Sequence, residues 1–80
     1  MVRQRTSEVI AEMVANVMTV NVEVGEEIEI GDTVAILESM KMEIPVLADH
    51  AGTVLAIKVA AADVVQEGDV LVEIAMRETN

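Results

Sequence analysis

Residues 34–47 are Val-Ala-Ile-Leu-Glu-Ser-Met-Lys-Met-Glu-Ile-Pro-Val-Leu, and this stretch indicates the fold more directly than any other. Two apolar runs, 34–37 and 44–47, flank a short polar segment, a layout that predicts two strands joined by a tight turn. Met40 and Lys41 would be the central turn residues. A two-residue turn usually contains Asn-Gly or Asp-Gly, because its central residues need positive φ. Met40 and Lys41 depart from this local propensity, and such departures tend to mark functional sites.

The composition predicts one small all-β domain. Eighty residues suffice for a single core, and 52% of them are hydrophobic although Phe, Tyr and Trp are absent. Val and Ile together supply 22 residues, and β-branched side chains favour strands over helices. Cysteine is also absent, so neither disulfides nor thiolate metal sites can form, which points to a reducing, cytoplasmic setting.

The charge balance restricts the partners. Fifteen acidic residues against five Lys and Arg give a formal net charge of −10, which argues against nucleic acid or an anionic membrane as a partner. No apolar run approaches the ~18 residues of a membrane span, and the basic N-terminal segment lacks the apolar stretch of a signal peptide. We therefore expect a cytoplasmic protein that docks on basic surfaces.

The chain contains an internal repeat with an offset of 37 residues. At this offset the apolar pattern of the first half matches that of the second, and a Gly-Asp pair falls in register. Six aligned positions are identical, namely Val9/Val46, Ala11/Ala48, Val17/Val54, Val22/Val59, Gly31/Gly68 and Asp32/Asp69. The two copies meet at the turn that carries Lys41.

Each half is predicted to form four short strands separated by turns. The predicted strands span approximately 8–12, 16–23, 28–30 and 34–38, then 43–48, 53–60, 65–67 and 70–75. Residues 9–17 also fit a helical stripe, but Pro45 and Gly52 bracket the equivalent second segment and disfavour a helix there. We expect a flattened barrel or two-layer sandwich over residues 8–76, with a flexible N-terminal tail (1–7) and a C-terminal tail (77–80).

The segment Ser39-Met40-Lys41-Met42 resembles the attachment site of the biotinyl domain family, whose signature is Ala or Ser followed by Met-Lys-Met. The resemblance extends from about Val9 to Ile74. It implies a flattened eight-stranded barrel-sandwich hybrid of two pseudo-twofold-related halves, with the modified lysine on the hairpin that joins them. Two departures concern turns: Ala15 and Asn16 replace the usual Gly in the first half, and Ala62-Asp63 replaces Gly-Asp in the second.

The resemblance assigns roles to the residues of the turn. Lys41 would be the covalent biotin acceptor, and Met40 and Met42 would be recognised by the biotin protein ligase; packing within the turn is the simpler role for the methionines. Glu38, Ser39 and Glu43 provide the turn context. An exposed lysine is mostly protonated near neutral pH, so the resemblance implies a separate ligase that supplies biotin as a reactive acyl-adenylate.

As a member of this family, the chain would be a biotin carboxyl carrier and not an enzyme. It would shuttle a carboxyl group from a biotin carboxylase to a carboxyltransferase, and the resemblance implies the subunits of an acyl-CoA carboxylase as partners. Since no Ala- and Pro-rich linker is present, we expect the free-standing small form. A lipoyl carrier, a dual biotin and lipoyl carrier, and an unmodified interaction module are the alternatives. Lipoyl domains usually have Asp before the lysine and Ala after it, whereas here both neighbours are Met.

Catalytic and metal-binding alternatives have weaker support. A Ser-His-acid triad would need Ser7 or Ser39 to approach His50, the only histidine, without any supporting motif. The acids Glu26, Glu27 and Glu29, and likewise Asp63, Glu67 and Asp69, lack calcium-loop spacing. They are better explained as a solvated charged edge that prevents strand-to-strand aggregation. We therefore expect neither catalytic nor metal-ligating residues.

Overall fold

The computed structural model describes residues 5–77, which form eight strands and no helix. The strands are β1 (Thr6–Ile10), β2 (Ala15–Val20), β3 (Glu27–Ile28), β4 (Thr33–Ser39), β5 (Met42–Leu47), β6 (Gly52–Ile57), β7 (Val64–Val65) and β8 (Val70–Met76). The prediction of an eight-stranded all-β fold is confirmed.

The strands form two four-stranded antiparallel sheets, with the orders β1-β8-β6-β3 and β5-β4-β2-β7. Each sheet takes two strands from each half of the chain, so the halves are interlocked. The sheets are packed as a sandwich and are not closed into a barrel, which corrects the barrel part of the prediction. No strand pairing joins β1 to β5 or β3 to β7 in the described residues, because β3 and β7 are only two residues long and Pro45 in β5 has no amide proton to donate.

The internal repeat is confirmed by the backbone hydrogen bonds. The amide of Gly25 donates to the carbonyl of Val54 at 2.8 Å, and the amide of Ala62 donates to the carbonyl of Val17 at the same distance. Gly25 and Ala62 are 37 positions apart, and so are Val17 and Val54. The two hydrogen bonds therefore join equivalent residues, with the two copies exchanged. Such reciprocal contacts are the pattern that a pseudo-twofold axis produces.

The core lies between the two sheets and is built from Val, Leu, Ile and Ala. Val34, Leu37, Leu71 and Ile74 are at most 1% exposed, and they form two pairs of repeat equivalents on the central strands β4 and β8. No polar side chain is buried in the described part of the chain. Burial of apolar surface therefore supplies most of the stability of a fold that has no disulfide.

The acidic side chains of the turns cap backbone amides. Asp32 accepts a hydrogen bond from the amide of Glu29 at 2.8 Å, and Asp69 accepts one from the amide of Gln66 at 2.9 Å. The preceding residues, Gly31 and Gly68, both have a φ of 93°, a conformation that glycine adopts without strain. The repeated Gly-Asp pair is thus a turn device. Within residues 5–77 no group of three or more His, Cys, Asp or Glu is arranged to hold a metal ion.

The ordered domain extends beyond the predicted boundaries at both ends. Thr6 and Ser7, placed in the N-terminal tail 1–7 by the sequence, belong to β1 and pair with β8. Arg77, placed in the C-terminal tail 77–80, contacts Glu27 at 3.1 Å and Glu29 at 3.0 Å. Both contacts depend on tertiary pairing, which no local sequence pattern predicts. Residues 1–4 and 78–80 of the predicted tails lie outside the described residues.

Ala62 is expected to be a strained position, because its φ is 79° and it occupies the place that Gly25 has in the first half. The left-handed conformation costs a non-glycine residue about 1–2 kcal/mol. Replacement by glycine removes this strain, but it also costs some stability because glycine loses more backbone entropy on folding. We expect Ala62→Gly to raise the free energy of unfolding by about 0.5–1 kcal/mol, measured by urea denaturation. Ala61→Gly, at an exposed neighbour without positive φ, should lower it instead; equal effects of both changes would refute the strain.

Candidate functional site

The hairpin between β4 and β5 has a two-residue turn. Ser39 pairs with Met42 across the hairpin, which leaves Met40 and Lys41 as the central residues. Their φ values are 53° and 66°, so both adopt the left-handed conformation that a type I′ turn requires. The predicted tight turn with Met40 and Lys41 at its centre is confirmed. The sequence places two non-glycine residues where each costs about 1–2 kcal/mol, and the flanking ladder of the hairpin compensates for that cost.

The turn projects its side chains into solvent. Lys41 is exposed, Met40 is 91% exposed and Met42 is 66% exposed. The ion pairs found among residues 5–77 involve Lys58 and Arg77 but not Lys41. In the described structure the Lys41 amine is therefore presented without a carboxylate partner, on a short and rigid support.

The base of the turn carries a row of side chains across the outer face of its sheet. Glu43 lies opposite Glu38, Glu38 lies opposite Asn16, and Asn16 lies opposite Val64. All four are exposed, whereas Ser39 is half-buried. Glu38 and Glu43 therefore place two carboxylates side by side below Lys41, although directly opposed like charges are unfavourable in a sheet.

A groove of about 310 Å³ opens beside the turn. Lys41 lines it together with Glu38, Met40, Val14, Asn16 and Val64. Sequence reasoning identified Lys41, Glu38 and Met40 as site residues and missed Val14 and Val64. No local sequence pattern marks Val64 as a site residue, because β7 reaches the turn only through its pairing with β2.

Another groove runs along the seam between β1 and β5. Its floor includes Val9, Leu37 and Val46, and its rim carries Glu8, Glu12 and Asp49. No lysine, serine or histidine lines it, so it offers no nucleophile. The candidate site is therefore at the turn.

The structure does bring Ser7 close to His50, with 3.3 Å between Ser7 Oγ and His50 Nδ1. Ser39 lies in the lysine hairpin and does not share this contact. A nucleophilic serine needs a histidine that is oriented by a third group, usually a carboxylate. No carboxylate forms an ion pair or hydrogen bond with His50 among the residues that the structure describes. The contact therefore ties β1 to the loop after β5 and has no catalytic geometry.

Residues 5–77 thus form a helix-free sandwich that holds one lysine out in solvent on a strained hairpin turn. Residues 5–74 match the family model described as "Biotin-requiring enzyme". The chain therefore belongs to the biotin/lipoyl attachment domain family, as the sequence predicted.

Similar proteins cover nearly the whole domain. A biotin/lipoyl attachment protein of Bacillus subtilis is 52% identical over 64 residues, which is 80% of this chain and 88% of that protein. A biotinylated protein TB7.3 homolog of Mycobacterium leprae is 50% identical over 68 residues, 85% of this chain and 96% of that protein. Among solved structures, a single-chain, multi-domain long-chain acyl-CoA carboxylase matches with a TM-score of 0.85 and 25% identity, covering 91% of this chain and 7% of that one.

The part of the chain that the structure describes offers no segment for crossing a membrane as a helix. Residues 5–77 include no helix of the length and apolarity that a span requires.

Proposed function

We propose that Lys41 is the attachment point for biotin and that the chain is a non-catalytic carrier of it. The observation that carries the proposal is the exposed amine on a left-handed two-residue turn, in a chain that belongs to the biotin/lipoyl attachment family. The Lys41 side chain suits this role, because a primary amine held out in solvent can form an amide with the biotin carboxyl group. Lys58, the other lysine, lies 3.8 Å from Glu73 and does not line the groove beside the turn.

The attachment needs an activated carboxyl group, because a free carboxylate is a poor electrophile and offers no good leaving group to an attacking amine. A biotin protein ligase supplies biotin as an acyl-adenylate. The neutral Lys41 Nζ attacks the carbonyl carbon, the bond from that carbon to the phosphate oxygen breaks, and AMP leaves. The proton lost from Nζ passes to a base of the ligase or to water. This chain contributes the amine and its position, and the ligase contributes the activation.

The carrier role follows from the cofactor. When bound, biotin accepts a carboxyl group on a ureido nitrogen and gives it up to an acceptor. The partners are a biotin carboxylase and a carboxyltransferase, and the similarity to the acyl-CoA carboxylase structure supports an acyl-CoA as the acceptor. The negative surface around Glu38 and Glu43 favours partner sites with basic rims, and encounter rates should fall as ionic strength rises.

Lipoate is the second candidate, because the Bacillus subtilis relative is named a biotin/lipoyl attachment protein. Both groups would form the same amide at Lys41, so the same turn would present either. The two methionines that flank Lys41 favour biotin over lipoate, since lipoyl domains usually have Asp and Ala at these places.

Intact-mass spectrometry tests the proposal. The purified chain is incubated with ATP and either biotin with a biotin protein ligase or lipoate with a lipoate ligase. We expect one biotinyl increment and little lipoyl product. A lipoyl increment alone would favour the second candidate, and a chain unmodified by both enzymes would contradict both.

A further inference from the structure

The duplicated fold allows the lysine end of the molecule to be compared with its opposite end. Residues 37 positions apart occupy equivalent places, as the reciprocal hydrogen bonds show. By this relation Met40 of the lysine turn is equivalent to Arg77, and Val64 of β7 is equivalent to Glu27 of β3. The end that carries Arg77 is thus an internal reference for the end with Lys41.

At the reference end an ion-pair cluster closes the edge of the sheet. The guanidinium of Arg77 contacts Glu29 at 3.0 Å and Glu27 at 3.1 Å. The hydrogen bond with Glu29 and the charge of that carboxylate raise the pKa of Arg77 above its ordinary value. The equivalents of these three residues at the lysine end are Met40, Gln66 and Val64, which cannot form such a cluster.

At the lysine end two of the three equivalent positions, Met40 and Val64, are apolar and open to solvent. Met40 is 91% exposed, Val64 is 64% exposed, and Val14 nearby is 58% exposed. All three line the groove that Lys41 also lines. Two members of the ion-pair cluster are thus replaced at the lysine end by apolar side chains that are largely exposed in the described structure. An apolar group of this kind beside a reacting amine indicates a contact surface.

We propose that Val14, Met40 and Val64 form a docking collar for the enzyme that acylates Lys41, and that this enzyme presents an apolar patch flanked by basic groups. This inference rests on the proposed function. Any enzyme that reaches Nζ must cover the groove whose wall contains the lysine. Glu38 and Glu43 are exposed at the same end, so the complementary surface is basic around its apolar centre. A second copy of this chain does not fit, because a net charge of −10 on each copy is repulsive.

The collar adds two residues to the recognition motif that are distant from it in sequence. Val14 precedes β2 and Val64 begins β7, and the pairing of Asn16 with Val64 brings β7 to the turn. These side chains contact the partner but not the reacting atoms. Their loss should therefore weaken binding of the carrier without slowing the transfer of the bound carrier.

The test compares two valines of equal exposure. Val64→Glu places in the collar the residue that the reference end has at Glu27, and Val24→Glu makes the same change at a valine that is 63% exposed and does not line the groove. The initial rate of biotin transfer by a biotin protein ligase is measured against carrier concentration. We expect Val64→Glu to raise KM for the carrier about tenfold with kcat within about twofold, while Val24→Glu leaves both unchanged.

A second variant, Val14→Glu, keeps the test decisive if Val64→Glu fails to fold, as judged by thermal unfolding. An unchanged KM in folded collar variants would overturn the docking collar. A rise in KM for Val24→Glu equal to that for Val64→Glu would also overturn it, because the effect would then be one of added charge alone. Failure of the wild-type chain to accept biotin is a separate result, which overturns the proposed function itself.

Discussion

Replacement of Lys41 by alanine is expected to abolish biotinylation while leaving the fold intact. On the proposed function the ligase acylates the amine at the tip of the hairpin, and the other lysine lies 3.8 Å from Glu73 and does not line the groove beside the turn. An exposed turn side chain contributes little packing, so the free energy of unfolding should change by no more than about 0.5 kcal/mol. Streptavidin blotting after incubation with ligase, biotin and ATP measures the first effect, and urea denaturation measures the second.

The matched control is Lys58→Ala, which removes the other lysine of the chain. It should be biotinylated to the same extent as the wild type. Lys41→Arg keeps the positive charge but provides no primary amine, and it should also remain unlabelled. Full labelling of Lys41→Ala would show that the wrong amine has been assigned.

The second large effect is expected at Gly52, the first residue of β6. A Cβ atom at this position would overlap the carbonyl oxygen of Ala75 and lie 2.8 Å from Cγ2 of Ile74. Both obstacles belong to β8, which pairs with β6 on one side and β1 on the other, so neither can move without disturbing the sheet. We expect Gly52→Ala to lower the free energy of unfolding by more than about 3 kcal/mol, measured by urea denaturation.

Gly68→Ala separates this clash from backbone strain. Gly68 has a φ of 93°, and a Cβ there would meet nothing within 4 Å, so the change costs only the left-handed penalty of about 1–2 kcal/mol. The two variants carry the same chemical change in the same half of the chain. Equal destabilisation by both would contradict the steric explanation for Gly52.

The sequence predicts the lysine turn and the duplication because both are local patterns. The apolar runs on either side of Met40 and Lys41 define the hairpin, and the register of the repeat follows from the Gly-Asp pair. Strand ends were harder to predict. Val20, Val22 and Val24 alternate as in one strand, yet β2 ends at Val20 and Val24 is 63% exposed, because the chain turns at Gly25.

The parts that the sequence did not reveal depend on contacts between distant segments. Asp69 accepts a hydrogen bond from the amide of Gln66 within its turn, although its charge suggested only a solvated edge. Val64 joins the site because β7 pairs with β2, which no local pattern encodes. The sandwich without barrel closure likewise follows from which strands fail to pair.

Peptide mapping of the ligase-treated protein tests the central claim most directly. Trypsin cleaves after unmodified lysine but not after an acylated one, and Lys41 and Lys58 are the only two lysines. Attachment at Lys41 predicts a peptide spanning residues 6–58 that carries one biotinyl increment. Recovery of residues 6–41 as a separate unmodified peptide, with the increment on a peptide spanning 42–77, would contradict the account.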